Sequence, residues 1–325
     1  MIKDGLSSRM KLYEGLQDTS LLPHVPVIAR LDGRAFHSFC RGLKRPFDPR
    51  LRTLMVETTI YLARETNAKI AYTQSDEISL IWLAEKDEEI FFDGRVQKMV
   101  SILAAMGSVY FNGNVATLLP EKTHKIAHFD CRVFSVPSQT EAANYLIWRE
   151  ADACRNSVSM AAQSYYSHVQ LHGKKQADMH DMLHAKGINW NDYPTHFRRG
   201  VYVRGVVREI PFSTEEIERL PLKHEARTNP DLKVWRRDWR VAELPIFTKI
   251  LNREAVIFEG ADAAMQNFPY ICPEHPMAQI RHEWTEKQYI MNGYPAGVPL
   301  KSQHNYYCDE CGRELSPENQ EKSTG

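Results

Sequence analysis

The sequence predicts an α+β protein built on a ferredoxin-like antiparallel sheet, with helices on one face of the sheet and further helices beyond it. The order of the elements predicts this class, and the composition and the length set its limits. Short β-rich runs and longer runs of helical periodicity follow one another in the order βαββαβ between residues 25 and 136. The composition, 43% hydrophobic and 25% charged, is that of a globular protein. The length of 325 residues exceeds the roughly 250–300 at which single cores stop growing.

We therefore expect one large domain with an appendage. The domain is predicted over residues 1–262, with 200–262 as its basic C-terminal part. The appendage is predicted over residues 263–325, which are rich in Pro, His, Cys and Tyr and show no clear periodicity.

The elements can be justified in chain order. Residues 25–32 are β-rich and end at a glycine, which predicts a strand followed by a turn. Asp48 and Pro49 predict a helix start, because Asp is a favoured N-cap and Pro suits the first helical position. The same patterns predict strands over 69–73, 78–83, 127–136 and 200–207, and helices over 96–111, 139–166 and 174–185.

The charge balance and the apolar pattern exclude several classes of protein. Lys and Arg together number 41, as do Asp and Glu, which excludes a histone-like basic protein but not a local basic patch. No apolar stretch reaches about 18 clean residues, so we expect no membrane-spanning helix. The N-terminus lacks the apolar region of a secretory signal, and the six cysteines therefore do not indicate a disulfide framework. A cytoplasmic location is expected.

The predicted topology brings two carboxylates together. In a βαββαβ sheet, the first two strands run parallel with the third antiparallel between them. The end of strand one, at Asp32, and the turn after strand two, at Asp76, then share one edge of the sheet. Carboxylates at such an edge suit two Mg²⁺ ions, which prefer one or two carboxylates plus substrate phosphates. The alternative is that both are solvated turn residues.

Other polar residues surround this predicted edge. Gly33 would allow the backbone to approach a metal or a phosphate closely. Lys44 and Arg45 could hold a triphosphate, or lie in a solvated loop. Further along the chain, Arg149, Asp152 and Asn156 share one helix face, which faces either the site or water. We expect Cys154 to be a packed thiol.

Two later regions carry possible binding chemistry. Basic residues interleaved with Tyr202, Trp235 and Trp239 between positions 198 and 240 suit RNA, with a salt-bridged solvated surface as the alternative. In the appendage, Cys272-x-x-His275 and Cys308-x-x-Cys311 supply three thiolates and an imidazole, a known Zn²⁺ ligand set. His282 and His304 are rival ligands, and the alternative is a metal-free tail.

Several of these segments also resemble a known family. They are 30–34 (Arg-Leu-Asp-Gly-Arg), 71–78 (Ala-Tyr-Thr-Gln-Ser-Asp-Glu-Ile), 129–132 (Phe-Asp-Cys-Arg) and 145–149 (Tyr-Leu-Ile-Trp-Arg), followed by 187–192 and 198–200. In this order they resemble the tRNA-histidine guanylyltransferase family of 3′–5′ nucleotide polymerases. The catalytic domain of that family resembles a polymerase palm. The resemblance covers roughly residues 9–208.

The resemblance implies a set of site residues. It implies Asp32 and Asp76, with the Gly33 backbone, as ligands of two Mg²⁺ ions, supported by Ser75 and Glu77. It implies that GTP or ATP is held along the turn after strand one and near the basic pair, by Arg34, Ala35, Phe36, His37, Lys44 and Arg45.

The resemblance also implies an activity and an assembly. The implied reaction activates the 5′-phosphate of a tRNA with ATP or GTP and then adds a nucleotide to that end. It implies a homo-oligomer, a tetramer in family members.

The sequence departs from the eukaryotic members at one motif. Where they carry His-Ile-Asn-Asn-Leu-Tyr-Asn, residues 154–160 read Cys-Arg-Asn-Ser-Val-Ser-Met, and Asn156 alone agrees. The departure resembles the bacterial or viral branch and favours templated 5′-end repair over histidine-tRNA specificity. Two alternatives remain: a non-catalytic RNA-binding or tRNA-chaperone protein, and another palm-type enzyme such as a nucleotide cyclase.

Overall fold

The computed structural model describes residues 5–16, 18–84, 90–229 and 231–265, together with short strands between 280 and 315. The chain divides into two compact units, Met1–Ala264 and Met265–Gly325. Each unit is described by itself. From the sequence we predicted that a domain ends at residue 262. Whether the residues on the two sides of this boundary form independent domains stays a prediction.

The first unit is built around a six-stranded sheet in the order β4-β1-β3-β2-β5-β6. Every neighbouring pair in this sheet is antiparallel. The strands are β1 (Val27–Gly33), β2 (Ile70–Gln74), β3 (Glu77–Trp82), β4 (Phe129–Ser135), β5 (Val201–Pro211) and β6 (Lys233–Ala242). Because β3 pairs antiparallel with both β1 and β2, those two strands run parallel with β3 between them. The predicted ferredoxin-like topology is confirmed.

Nine α-helices accompany the sheet in the described part of this unit. They are α1 (Leu6–Gly15), α2 (Phe36–Cys40), α3 (Pro49–Glu65), α4 (Val96–Leu118), α5 (Gln139–Gln163), α6 (His168–Leu171), α7 (Gln176–His184), α8 (Thr195–Arg199) and α9 (Thr214–Arg219). A single π-helical turn at Ala255–Glu259 and short 3₁₀ turns complete the unit.

The alternation of side chains along each strand divides the core between the two faces of the sheet. Leu31 and Leu80 point to the face covered by α3 and α4 and join a cluster with Leu54, Leu62, Leu103 and Phe111. Ile28 and Ile81 point to the opposite face and pack with residues of α5, among them Ala142 and Leu146. Asp32 lies on the same side of β1 as Ile28, and Glu77 lies on the same side of β3 as Ile81. Both therefore lie on the face that α5 covers.

Helix α3 begins where the sequence predicts. The Asp48 carboxylate accepts a hydrogen bond from the Arg50 amide at 3.0 Å, and Pro49 occupies the first turn. The Arg50 guanidinium donates to the same carboxylate at 2.8 Å and to Glu121 at 2.7 Å. The start of α3 is therefore tied to the segment that follows α4.

Among the helices that the structure describes, α4 is the one whose length and apolar composition would allow it to cross a membrane. Its Met99, Leu103, Phe111 and Val115 are buried against the sheet. A core helix of a globular domain passes the same test, so this helix does not indicate a membrane protein.

The second unit contains two small sheets. One has the order β11-β10-β7, formed by Glu314–Leu315, Gln303–Cys308 and Ile280–Thr285, and the other pairs β8 (Ile290–Met291) with β9 (Tyr294–Pro295). The predicted zinc ligands Cys272, His275 and Cys311 and the side chain of Cys308 lie outside the described residues. The zinc site stays a prediction. In the first unit, Cys40, Cys131 and Cys154 carry free thiols.

Candidate active site

The candidate site lies where β1 ends beside the β2–β3 turn. Asp32 is the register partner of Glu77, and the Gly33 amide donates a hydrogen bond to the Asp76 carbonyl at 3.1 Å. Ser75 takes a left-handed backbone conformation with φ of 52°, which makes the two-residue turn sharp. The structure thus brings the Asp32 segment and the Ser75–Asp76–Glu77 segment together at one sheet edge.

Asp32 and Asp76 place two carboxylates close together at this edge. Burial, and secondly the charge of Asp32, raise the pKa of the Asp76 carboxyl above its usual range. Among the residues that the structure describes, no Lys, Arg or His nitrogen lies within 4.0 Å of either carboxylate. A cation between the two would relieve the repulsion.

The two carboxylates open into a polar cavity of about 390 Å³, here called the carboxylate cavity. Its other walls come from the β2–β3 turn and from one face of α5, with Arg149, Asp152, Asn156, Ser159 and Gln163 among the lining residues. The polar stripe on α5 therefore faces the site, which decides between the two alternatives that the helical spacing left open.

Glu77 has a different environment from the two aspartates. Its carboxylate accepts two hydrogen bonds from the Arg149 guanidinium, at 2.7 and 2.8 Å, and Arg30 lies 3.9 Å away. Arg149 also donates to Asp152 at 3.0 Å. Because these contacts use both Glu77 oxygens, Glu77 joins β3 to α5 and orients the edge of the site, as a supporting residue would.

A second cavity adjoins the first and is here called the loop cavity. It measures about 410 Å³ and is lined by His37 of α2, by the segment between α2 and α3 with Lys44 and Arg45, and by residues of α5 and α8. The two cavities share Gln74, Ser75, Asn156, Met160 and Gln163 as lining residues. A ligand that fills the loop cavity can therefore extend to the aspartates.

Aromatic side chains line one wall of the loop cavity. Phe47 stacks on Phe197 with ring centroids 4.9 Å apart and meets the edge of His196 at 5.3 Å. The buried Nε2 of His196 has no hydrogen-bond partner in the described part of the chain. Flat apolar walls with a free polar ring atom suit a purine base. Sequence reasoning missed these three residues, although Phe197 directly precedes the basic segment that begins at position 198 and Phe47 follows Lys44 and Arg45 after one proline.

The residues of the turn after β1, which were expected to hold a nucleotide, differ in their exposure. Arg34 and Ala35 are exposed, and Ala35 has a left-handed φ of 54°. Phe36 is a core residue, packed against Phe39, Phe111 and Phe129, so any nucleotide contact that it makes would come from its main chain.

Gly33 also has a packing role. A Cβ atom at Gly33 would lie 2.2 Å from the Phe36 ring, so glycine is required here for packing. Close approach of the Gly33 backbone to a ligand, expected from the sequence, stays a prediction.

The two carboxylates at this edge suit Mg²⁺ better than a metal ion whose ligands all come from the protein. The described residues contain no group of three or more His, Cys, Asp or Glu arranged to hold a metal ion. Two neighbouring carboxylates facing a cavity are the kind of partial site that Mg²⁺ completes with substrate phosphates. Asp32 and Asp76 would hold such ions, with the Gly33 backbone beside them.

An antiparallel palm-like sheet with paired aspartates at one edge and two joined cavities defines a class of protein, the palm-type nucleotidyltransferases. Comparisons with known proteins narrow this class. The chain belongs to the tRNA(His) guanylyltransferase family, whose profile, described as "tRNAHis guanylyltransferase", matches residues 7–137.

The relatives support this membership. A probable tRNA(His) guanylyltransferase of Mus musculus is 32% identical over 233 residues, covering 65% of this chain and 74% of that protein. The uncharacterized protein R259 of Acanthamoeba polyphaga mimivirus is 29% identical over 228 residues, covering 63% and 78%.

Solved structures agree. A bacterial tRNA(His) guanylyltransferase-like protein in complex with ATP has a TM-score of 0.64 and 35% identity, covering 78% of this chain and 97% of its own. A structure of such a protein with GTP has a TM-score of 0.56 and 32% identity, covering 76% and 95%. The predicted family is confirmed, and the bacterial and viral relatives are consistent with the predicted branch.

Proposed function

We propose that this protein adds nucleotides to the 5′ end of a tRNA after activating that end with a nucleoside triphosphate. The observation that carries the proposal is the pair Asp32 and Asp76 at the sheet edge, lining a cavity that joins the loop cavity, in a member of the tRNA(His) guanylyltransferase family. One cavity has the size and lining for a nucleotide, and the other gives an RNA end access to the carboxylates.

The activation step joins the nucleotide to the RNA. An oxygen of the RNA 5′-phosphate attacks the α-phosphorus of ATP or GTP, and the bond between the α-phosphorus and the bridging oxygen breaks. Pyrophosphate leaves, and the RNA carries a nucleoside monophosphate through a 5′–5′ pyrophosphate linkage.

The transfer step extends the chain. The 3′-hydroxyl of an incoming nucleoside triphosphate attacks the 5′-phosphorus of the RNA and loses its proton. The nucleoside monophosphate leaves, and the added nucleotide becomes the new 5′ end.

The residues around the cavities support particular roles. We assign the purine of the activating nucleotide to the aromatic wall of the loop cavity and its phosphates to Lys44 and Arg45. His37, Ser75 and the backbone of residues 33–35 would guide the α-phosphate toward the aspartates. Mg²⁺ bound there would stabilise the attacking and leaving oxygens of both steps.

The α5 stripe is assigned to the RNA end. Asp152, Asn156, Ser159 and Gln163 line the carboxylate cavity with hydrogen-bonding groups, and Met160 is the apolar residue of α5 among them. These groups suit the sugar and phosphate oxygens of a 5′-terminal nucleotide.

The first test is a gel assay with labelled nucleoside triphosphates, Mg²⁺ and two 5′-monophosphorylated RNAs: intact histidine tRNA and a tRNA lacking its first nucleotide. Label on the shortened tRNA alone, with the base that pairs to the acceptor strand, would mean templated repair. An extra G on intact histidine tRNA would mean guanylyl addition. Label on neither RNA would contradict the proposal and favour the chaperone or cyclase alternatives.

The carboxylates are tested in the same assay. We expect Asp32→Ala and Asp76→Ala each to abolish nucleotide addition, because each removes half of the proposed cation site. Unfolding curves should remain cooperative, since both residues lie at the sheet edge outside the two core clusters. Retained activity in either variant would overturn the metal assignment.

Two further expectations belong to the proposal. Assembly into a homo-oligomer, a tetramer by resemblance, is tested by light scattering on the purified protein. A cytoplasmic location is tested by fractionation of the source cells.

A further inference from the structure

The α2–α3 loop carries the basic pair that the proposed function assigns to the phosphates of a nucleotide. Residues 41–48 join the two helices without regular secondary structure, and Lys44 and Arg45 line the loop cavity. Inside the loop, the Lys44 amide donates to the Asp48 carboxylate at 3.3 Å, beside the start of α3. Because an irregular loop takes its position from its contacts, the groups that hold its two ends decide where the basic pair lies.

A segment that lies 81 to 87 residues further along the chain holds the first end of the loop. Residues 120–125 follow α4, and we call them the clamp segment. The Lys122 ammonium group donates to the Arg41 carbonyl at 2.5 Å, and the Lys125 ammonium group donates to the Ser38 carbonyl. Both bonds lie at the C-terminal end of α2, where cations interact favourably with carbonyls that have no partner within the helix.

The same segment holds the other end of the loop. Glu121 accepts two hydrogen bonds from the Arg50 guanidinium, at 2.7 and 3.3 Å, in the first turn of α3. Arg50 in turn donates to Asp48, the last residue of the loop, at 2.8 Å. Contacts from one short segment therefore fix the two ends of the loop relative to each other.

Lys122 is an unusual residue to find in such a position. It is only 5% exposed, and lysine is rarely buried so completely. Burying an ammonium group costs free energy unless polar partners replace the lost water. A methionine would fill a similar space without that cost, so packing alone does not account for a lysine that donates to the Arg41 carbonyl.

The charges of the clamp segment also reach the loop cavity. Burial, and secondly the charge of Asp76, raise the pKa of the Cys40 thiol to about 11, and the charges of Lys122 and Lys125 oppose this rise. Cys40 lines the loop cavity, whereas neither lysine is among its lining residues. The two lysines therefore lie behind the wall of the cavity and not inside it.

We propose that Lys122 and Lys125 are positioning residues, which hold the α2–α3 loop so that its basic pair meets the phosphates of the bound nucleoside triphosphate. The proposal rests on the proposed function for the presence of that nucleotide. A loop that is fixed before binding loses less conformational freedom when the ligand arrives, and the affinity is higher for that reason. The lysines act through Lys44 and Arg45 without touching the nucleotide.

The first test measures binding of GTP and of inorganic tripolyphosphate to the full chain in Mg²⁺ buffer, by isothermal titration calorimetry without RNA. We expect Lys125→Met to weaken binding of each ligand about 2- to 12-fold, the effect of ordering one further side chain on binding. The loss should be similar for both ligands, because the clamp segment holds the basic pair and not the aromatic wall. Lys122→Met should change both affinities in the same direction.

Two further variants separate position from charge. Lys125→Gln keeps a hydrogen-bond donor and removes the charge, so it should retain most of the affinity for GTP. Lys174→Met removes an exposed lysine outside the clamp segment and should bind GTP as the unsubstituted protein does.

Steady-state kinetics give a readout that a purely structural role would not change. In the nucleotide-addition assay, Lys125→Met should raise the KM for the nucleoside triphosphate by the factor measured in binding. Its kcat at saturating nucleotide and its KM for the shortened tRNA should stay unchanged, because the loop contacts the nucleotide and not the RNA.

Two outcomes would overturn the proposal. Unchanged GTP affinity in both Lys122→Met and Lys125→Met would mean that the clamp segment only stabilises the fold. An equal loss in Lys125→Gln and Lys125→Met would mean that the charge acts through space and that the hydrogen bond does not position the loop. Failure of the proposed function is distinguishable, because the unsubstituted protein would then bind GTP without adding a nucleotide to either RNA.

Discussion

Asp32 and Asp76 illustrate how far single residues can be predicted from sequence. Strand order alone places both at one edge, so their proximity needs no knowledge of side-chain packing. The contact between Glu77 and Arg149 could not be predicted in the same way. Helical spacing assigns Arg149 a face of α5 but does not say which element covers that face, and the partner is known only once α5 is packed on the sheet.

The Glu77–Arg149 pair yields a prediction about stability. Both side chains are less than 10% exposed, so removing one partner leaves a buried charge without its bidentate contact. We expect Arg149→Leu to lower the free energy of unfolding by about 3–5 kcal/mol. Urea unfolding followed by circular dichroism measures this change.

The control for this prediction is a nearby arginine. Arg155 pairs with Asp152 at 2.9 Å but is 52% exposed, so Arg155→Ala should change the free energy of unfolding by less than about 1 kcal/mol. Equal losses in the two variants would mean that burial does not distinguish the two ion pairs.

At the scale of elements, the predictions succeed where local chemistry sets the boundary. Asp48 and Pro49 start α3 because capping is local. The end of α4 is different: it runs to Leu118, past the predicted 111, because buried Val115 outweighs the weak helix propensity of the Asn and Gly residues around it. Strand β5 likewise continues to Pro211, past the predicted 207, because pairing with β6 stabilises residues that no sequence pattern marks as a strand.

The capping of α3 should depend on pH. The Arg50 guanidinium lowers the pKa of Asp48 to about 2, against 3.8 for an unperturbed Asp. A carboxyl with a lowered folded-state pKa stabilises fully above its unfolded pKa, and this contribution is lost as the pH falls from about 4 to about 2. Asp48→Asn keeps a capping side chain but not the charge.

Thermal unfolding of both proteins between pH 6 and pH 2 tests this expectation. The melting temperature of Asp48→Asn should lie below that of the unsubstituted protein at pH 6, and the difference should shrink toward pH 2. A constant difference across this range would show that the Asp48 charge does not contribute to stability.

Two glycines in different elements should respond in opposite directions to alanine. Gly200 joins α8 to β5 with φ of 78° and ψ of −167°, a conformation essentially confined to glycine. A Cβ there would lie 2.7 Å from the Thr73 carbonyl oxygen, so we expect Gly200→Ala to cost at least about 1–3 kcal/mol of unfolding free energy.

The matched control is Gly113 on α4. A Cβ atom at this position would have no neighbour within 4 Å. Gly113→Ala should therefore stabilise the protein by about 0.5–1 kcal/mol, because alanine favours the helix. Denaturant unfolding of the two variants measures both signs, and a destabilised Gly113→Ala would contradict the expectation.

For the whole molecule, the sequence predicts the βαββαβ arrangement and a large domain followed by an appendage. Sequence patterns could not predict that the two cavities join across Ser75 and Asn156, because this depends on how α5 crosses the sheet edge. The pairing of β5 with β2 depends in the same way on long-range contacts. In each case the segments that meet lie more than 70 residues apart, and such contacts leave no periodicity in either segment.

The division into two units leads to a prediction about the whole chain. The six-stranded sheet and both cavities lie within Met1–Ala264. The end of this unit is bonded to the rest of the unit, since the Leu251 amide donates to the Ala264 carbonyl at 2.8 Å and the Ala264 amide donates to Asn252 at 2.7 Å.

A chain ending at Ala264 should therefore unfold cooperatively and keep nucleotide addition to the shortened tRNA. If zinc is bound by Cys272, His275, Cys308 and Cys311, elemental analysis should find it in the full chain and not in the shortened one. Loss of the unfolding transition on shortening would mean that the two units fold as one, and loss of activity with the transition retained would assign the appendage a part in the reaction or in RNA binding.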